Sequence, residues 1–234
     1  MSSPAASRPD AAVVIVAAGL GARAGPGEPK QFRPILGVPM LLRALRPFTS
    51  HPDIGQVVVA VPAGFDVQPP DWLARLEGER LALVAGGATR AQSVRAGLRA
   101  LPPQAGIVLI HDGARPFVSR ETIDGVLEKA RTGVGGVAAI QVTDTVKDVE
   151  QDRITRTVER ERLWRAQTPQ GFPRAMIERA YAGLANGDAG GTDDAELCER
   201  AGFPVEVVPD SPYNFKVTTA DDFRIAEALA RELR

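Results

Sequence analysis

A chain of 234 residues with 44% hydrophobic and 24% charged side chains is long enough for one full α/β domain or two small ones, and has the balance of an ordinary globular protein. Its 28 basic and 29 acidic residues leave a formal charge of −1. No global basic field marks it for nucleic acid or an anionic membrane, so any affinity for phosphate must come from a few local cations. A single cysteine, Cys198, cannot form an intramolecular disulfide, which suits a reducing, cytoplasmic setting.

Residues 1–10 hold Arg8 and Asp10 and form no clearly basic leader, and the apolar run behind them continues into patterned sequence. A secretory signal is therefore not expected. Residues 1–10 read as a disordered tail, and 11–234 as a single domain. No run reaches the roughly 18 apolar residues of a membrane helix. Strands are expected at AAVVIVA (11–17), QVVVAV (56–61), LALVAG (81–86), GIVLIHD (106–112) and GGVAAIQV (135–142). These are continuous apolar runs, as in strands buried on both faces. Helical patterns separate them: PMLLRALRPFTS, DWLARLEG, TRAQSVRAGLRAL and SRETIDGVLEKAR. Thr89 and Ser119 stand where N-caps are wanted. The alternation predicts an α/β fold: a Rossmann-like, mostly parallel sheet with helices on both faces, binding its ligand beyond the carboxyl ends of the strands.

The rhythm breaks at residue 143. DTVKDVEQDRITRTVERERLWRAQTPQGF is highly charged and offers no continuous core strand. It reads as a protruding β-hairpin arm over about 143–170 that leaves the sheet and packs on another subunit. Behind it come a helix (PRAMIERAYAGLAN), a glycine-rich turn, a second helix (DDAELCERAG), a strand (PVEVVP) and a last helix. Thr219, with Asp222 three residues on, nearly makes a capping box for that last helix.

The loop after the first strand carries the chemistry. Gly19-Leu20-Gly21-Ala22-Arg23-Ala24 satisfies the dinucleotide pattern G-x-G-x-x-G/A. The helix that should follow at once is opposed by Pro26 and Pro29, and no acidic residue stands about 20 positions on. A dehydrogenase is therefore disfavoured. A triphosphate grip uses every special residue instead. Small residues let backbone N–H groups approach phosphate, while Arg23 and Lys30 supply charge where it develops at phosphorus.

The downstream segments GGATRAQSV (86–94), HDGARPF (111–117), DTVK (144–147), TVERERLWRAQTPQGF (157–172), TDDA (192–195) and FKVTTADD (215–222) extend this reading. In their order and spacing the chain resembles the 2-C-methyl-D-erythritol 4-phosphate cytidylyltransferase family of the non-mevalonate isoprenoid pathway. The resemblance runs from about residue 12 to the C-terminus. It implies that CMP passes from CTP to the polyol phosphate with release of pyrophosphate and with Mg²⁺ as cofactor. An attacking phosphate is already largely dianionic near neutrality, its second pKa being about 6, so no general base is required. The chain accordingly holds only two histidines, His51 and His111, and no nucleophile–base motif.

The resemblance also implies roles. Arg23, Lys30 and Lys216 match its catalytic cations, Lys216 orienting the attacking phosphate. Ala17, Ala18, Gly19, Leu20 and Gly21 would line the nucleotide, with Gly87 and Ser93 reading the cytosine. Asp112 matches the acidic residue near Mg²⁺ and the substrate hydroxyls. Arg115 would bear on substrate or on loop structure, and Thr192 with Asp193 on substrate or on the start of a helix. Thr145 and Arg160 match residues that bind the polyol phosphate of the neighbouring subunit, for the family is a homodimer in which each arm crosses to its partner. Ala88 departs from relatives that are acidic there. A ribitol 5-phosphate cytidylyltransferase is the nearest alternative, since a pocket discriminates a methyl by only about 1–3 kcal/mol. Trp164 and Ala166 resemble the methylerythritol group. A non-catalytic nucleotide-binding module would have lost Arg23, Lys30, Asp112 or Lys216, and all four are present.

Overall fold

The computed structural model describes residues 9–19, 29–78, 80–184 and 190–233. In chain order the elements are β1 (Ala11–Val16), a short antiparallel pair β2 (Pro34–Ile35) and β3 (Val38–Pro39), α1 (Met40–Thr49), β4 (Ile54–Val61), α2 (Asp71–Ala74), β5 (Leu81–Ala85), α3 (Arg90–Ala100), β6 (Ile107–Asp112), α4 (Arg120–Arg131) and β7 (Gly135–Gln141). There follow β8 (Val146–Glu150), β9 (Arg153–Val158), β10 (Trp164–Pro173), α5 (Arg174–Ala182), α6 (Asp194–Arg200), β11 (Val205–Pro209) and α7 (Ala220–Glu232).

Seven strands form one sheet in the order β11-β7-β10-β6-β1-β4-β5. Every neighbouring pair is parallel except the two made by β10. The alternation of β1 shows why its sequence is apolar throughout. Val13 and Ile15 enter a core with Leu41, Leu45 and Phe48 of α1 and Ile123 and Leu127 of α4. Ala12 and Val14 enter the opposite core with Val94 and Leu98 of α3 and Ile177 of α5. Both faces are covered, as a parallel sheet requires. The mostly parallel α/β fold with helices on both faces is the one the sequence predicts. Among the described residues, no helix is long and apolar enough to cross a membrane.

The caps are where the residue types place them. Thr89 and Gln92 form a reciprocal capping box on α3, Ser119 accepts from the Thr122 N–H on α4, and Thr219 with Asp222 completes a box on α7. Two expectations need correction. The tail does not extend through residue 10: the Asp10 carbonyl accepts from the Gly106 N–H at 2.9 Å, and its carboxylate pairs with Arg131 at 2.8 Å. Residues 1–8 lie outside the described residues. The arm is also shorter than 143–170. Only β8 and β9 form a separate hairpin, closed by Gln151 and Asp152 at φ 46° and 66°, a two-residue turn with both central residues left-handed.

The end of the supposed arm turns back as β10 into the middle of the sheet, between β6 and β7. Its polar side chains are what hid it. Gln167, Thr168 and Gln170 are all buried, and each makes hydrogen bonds there: Gln167 to the Asn214 carbonyl, Thr168 to the Asp112 N–H and Gln170 to Asp193. A polar strand is tolerated at the centre of a sheet when most of its buried groups find partners, and of these three side chains only Gln167 keeps an unpartnered atom, its Oε1. The Thr168–Pro169 peptide bond is cis, and the pairing with β7 shifts register between Ala166 and Gln170.

Candidate active site

The loops that follow β1, β5 and β6 meet at the carboxyl edge of the sheet. The Gly113 N–H donates to the Val16 carbonyl at 2.9 Å, and the Gly86 N–H donates to the Val61 carbonyl at 2.8 Å. Gly86 is required for this approach: a Cβ there would stand 2.3 Å from the Ala18 Cβ and 3.0 Å from Ser93 Oγ. The turn between β5 and α3 thus lies directly against the loop after β1. Ser93 braces that turn, accepting from the Gly87 N–H at 3.1 Å and donating to the Thr89 carbonyl at 3.0 Å. Ala17 is buried, Ala18 half-buried and Gly19 exposed, and the Gln31 amide donates to the Ala17 carbonyl at 2.6 Å. Leu20, Gly21 and Arg23 lie outside the described residues.

Asp112 closes β6 and is the centre of the site. Its residue is 6% exposed, yet three cations share its carboxylate. Arg90 Nε is 3.3 Å from Oδ1, while Lys216 Nζ and Arg115 Nε lie 2.9 and 3.6 Å from Oδ2. The Arg115 contact is an ion pair beyond hydrogen-bond length; the firm bond of that guanidinium runs from Nη1 to the Asn214 carbonyl at 2.8 Å. Burial pushes the Asp112 carboxyl up, and the charges of Arg90, Lys216 and Arg115 outweigh it, holding the group below the usual carboxylate range. Asp112 is therefore an anion at any working pH.

Around it stands a fixed polar frame. Thr168 Oγ1 accepts the Asp112 N–H at 3.0 Å and lies 3.1 Å from His111 Nδ1. With that oxygen already accepting from the backbone, its own proton is directed to Nδ1. The Nε2 proton of His111 then goes to the Arg115 carbonyl, 3.0 Å away. Burial pulls the His111 imidazole down to about 4, so it is neutral near pH 7 and serves as a structural hydrogen-bonding residue.

Lys30 comes in from the other side. Its Nζ donates to the Val217 carbonyl at 2.9 Å, so the segment that carries Lys216 also receives Lys30. On the far flank, Asp193 is the N-cap of α6, accepting from the Glu196 N–H, and the Thr192 N–H and hydroxyl both donate to Glu196. Asp193 thus makes the helix start that is one of the two roles expected for this pair, and Thr192 stands exposed beside it. Thr145 and Arg160 lie exposed on and beside the hairpin. Arg160 donates to the Thr143 carbonyl, and among the described residues no hydrogen bond or ion pair joins either one to the Asp112 cluster.

Sequence reasoning passed over Arg90, Asp194, Thr168 and Asn214. Arg90 was legible as a lone cation in the first turn of a helix opened by a glycine pair. The other three become site residues only through the placement of β10 and of the segment before α7.

As a magnesium site the chain's own donors are poor. Among the described residues no group of three carboxylate, imidazole or thiol side chains gathers, and both Asp112 oxygens are already addressed by cations. That donor set does not fit a metal held by the protein alone.

Comparison with known proteins agrees with this geometry. The family model for 2-C-methyl-D-erythritol 4-phosphate cytidylyltransferase (IspD) matches residues 11–232. A protein of that name from Syntrophus aciditrophicus is 39% identical, the alignment covering 96% of this chain and 97% of that one. One from Streptomyces coelicolor is 44% identical over 95% of this chain and 86% of its own. The crystal structure of the 2-C-methyl-D-erythritol 4-phosphate cytidylyltransferase from Thermus thermophilus superimposes with a TM-score of 0.77 at 37% identity, covering 94% of this chain and 98% of that one. The match includes the β1 loop, the Asp112 edge and the Lys216 segment in one frame, and the chain belongs to the 2-C-methyl-D-erythritol 4-phosphate cytidylyltransferase family.

Proposed function

We propose that the chain transfers CMP from CTP to 2-C-methyl-D-erythritol 4-phosphate. A phosphate oxygen of the acceptor attacks the α-phosphorus of CTP in line, the bond to the β-phosphate breaks, and pyrophosphate leaves with the electron pair. The observation that carries this reading is the Asp112 cluster at the strand edge beside the glycine loop, within a chain of this family.

The residues have electrostatic work to do rather than proton transfer. The neutral, buried His111 is enclosed by Thr168 and Arg115 and serves no acid–base role. The Asp112 carboxylate keeps Lys216 at the centre of the site, and that lysine, half exposed, can turn from carboxylate to phosphate. Lys30 and, in this proposal, Arg23 complete the positive surround of the triphosphate. Donors fixed before the reaction stabilise the charge that develops on the non-bridging oxygens. Ala17 to Gly21 and the turn at Gly87, braced by Ser93, hold the nucleotide. Magnesium, which screens phosphate charge, belongs in this reading to the substrate as the CTP complex and is bound mainly by phosphate oxygens and water.

Thr145, Arg160 and Thr192 bind the acceptor, the first two by reaching a second copy of the chain. The hairpin supports this: the cross-strand pair Val149 and Ile154 is 52% and 63% exposed, an apolar pair open to solvent on a ribbon that also carries Lys147, Asp148, Glu150, Arg153 and Arg156. The free, buried Cys198 suits a reducing compartment, and we place the enzyme in the cytoplasm.

The test is pyrophosphate release from CTP and Mg²⁺ by the purified chain, with methylerythritol 4-phosphate and ribitol 5-phosphate as separate acceptors. Release with the first alone is expected. Faster release with the second would overturn the acceptor, and release with neither would overturn the reaction.

A further inference from the structure

Arg90 opens α3, three residues beyond the glycine pair, and its guanidinium lies between two buried carboxylates. Nη2 is 2.7 Å from Asp194 Oδ2 and Nε is 3.3 Å from Asp112 Oδ1. Asp194 is fully buried. Its other oxygen accepts from the Tyr181 hydroxyl at 2.5 Å, and its N–H donates to Gln170 Oε1 at 3.1 Å. Asp194 therefore belongs to a rigid frame made by α5, α6 and β10.

The two Asp112 oxygens are addressed from different sides. Arg90 engages Oδ1, and Lys216 engages Oδ2. A carboxylate is planar, so pinning one oxygen fixes the direction of the other and with it the position of the ammonium group. The planar fork of arginine can serve two carboxylates at once, whereas a lysine is a single point charge.

We propose that Arg90 is a positioning residue for the transfer: by bridging Asp194 and Asp112 it sets the orientation of the Asp112 carboxylate and so the placement of Lys216 against the reacting phosphates. The bridge also ties the nucleotide side of the site, where α3 begins, to the Thr192–Asp194 turn on the acceptor side. The competing role is purely structural, with Arg90 doing no more than neutralising the buried Asp194.

This inference rests on the cytidylyltransferase reading, and the wild-type rate with CTP and methylerythritol 4-phosphate separates the two. An inactive wild type would sink that reading; an active wild type leaves the variants to decide the inference. Two variants are used. Arg90→Lys keeps a positive charge and loses the fork. Arg90→Met with Asp194→Asn removes the buried ion pair as a whole, so that no buried charge is stranded. Rates are taken at a temperature where the melting curve of each variant shows it fully folded.

Positioning predicts that kcat falls about 100-fold in both variants, as expected when reacting groups are misplaced by about an ångström, while KM for CTP changes much less. It also predicts coupling: Lys216→Ala costs far less in the Arg90→Lys background than in the wild type, because the step it serves is already impaired. A kcat within threefold of wild type in Arg90→Lys would overturn the proposal. So would a double variant whose activity recovers with its stability, or a Lys216→Ala effect of the same size in both backgrounds. Should the double variant fail to fold, the Arg90→Lys rate and the Lys216 cycle decide alone.

Discussion

Lys216 Nζ stands 2.9 Å from Asp112 Oδ2, and the pair is one-sided: the lysine side chain is 41% exposed and the aspartate 9%. The carboxylate is held inside by Arg90 and Arg115, and the Asp112 backbone N–H donates to the Thr168 hydroxyl, while the ammonium reaches it from the solvent side. Such a pair contributes little to stability, because the exposed partner is screened by water. It does bring a cation to the strand edge where a triphosphate would lie.

Lys216→Ala and Lys30→Ala should therefore separate activity from folding. In the proposed transfer each removes a cation that meets charge developing at phosphorus, and kcat should fall by about 100-fold or more. Thermal midpoints should change little for Lys216→Ala, since the lysine end of the pair is screened by water and the buried Asp112 carboxylate keeps Arg90 and Arg115 as partners. Steady-state rates read beside melting curves check both halves. Near-normal turnover in either variant would remove that lysine from the mechanism.

Stability should depend on pH through His111. In the folded chain burial holds its imidazole near 4, against an ordinary value of 6.5. The unfolded chain then takes up a proton first as pH falls, so stability is full above pH 6.5 and declines as pH drops toward 4. The decline amounts to about 3 kcal/mol for a shift of this size. Asp112 acts in a lower window, because its folded carboxyl lies below its ordinary value of 3.8. Urea midpoints measured from neutral pH downward should show the slope, and His111→Gln should flatten it above pH 4. A wild-type slope retained in that variant would assign the effect elsewhere.

Gly86→Ala should weaken nucleotide binding without unfolding the chain. The new methyl would meet Ala18 Cβ at 2.3 Å, well inside van der Waals contact. The two loops that would cradle the nucleotide must then separate. KM for CTP should rise about tenfold or more, while KM for the acceptor changes little. Equal changes in both would mean that the turn serves the site as a whole.

Much of this was legible in the sequence, and what was not has a physical cause. The apolar runs of β1, β4 and β6 announced strands buried on both faces, and Thr89, Ser119 and Thr219 announced helix starts. Strand β10 did not, because Gln167, Thr168 and Gln170 read as surface. Their partners, the Asn214 carbonyl, the Asp112 N–H and the cap of α6, come from distant parts of the chain. Periodicity reports burial only where burial is apolar. The same blindness hid Arg90 and Asp194, a pair joined across the fold. Asp112 and Lys216 were readable through family resemblance, and the structure adds that they touch.

The hairpin supplies the last test, that of assembly. Val149 and Ile154 face one another across β8 and β9 and are both exposed, and in the proposed dimer they pack on a second chain. Ile154→Lys should leave the seven-stranded sheet intact, since the hairpin forms its own two-stranded sheet, and it should shift the sedimenting species from dimer to monomer. If the arm also delivers Arg160 to the partner's acceptor site, the monomer should lose activity although its own Asp112 cluster is complete. Complementation makes the point directly. Arg160→Ala and Lys30→Ala chains, each inactive alone, should recover activity when mixed, because one of the two sites in a mixed dimer then carries both residues. A monomeric wild type would remove the dimer from the proposal, and a dimer whose mixed chains stay inactive would place Arg160 and Lys30 in the same site of one chain.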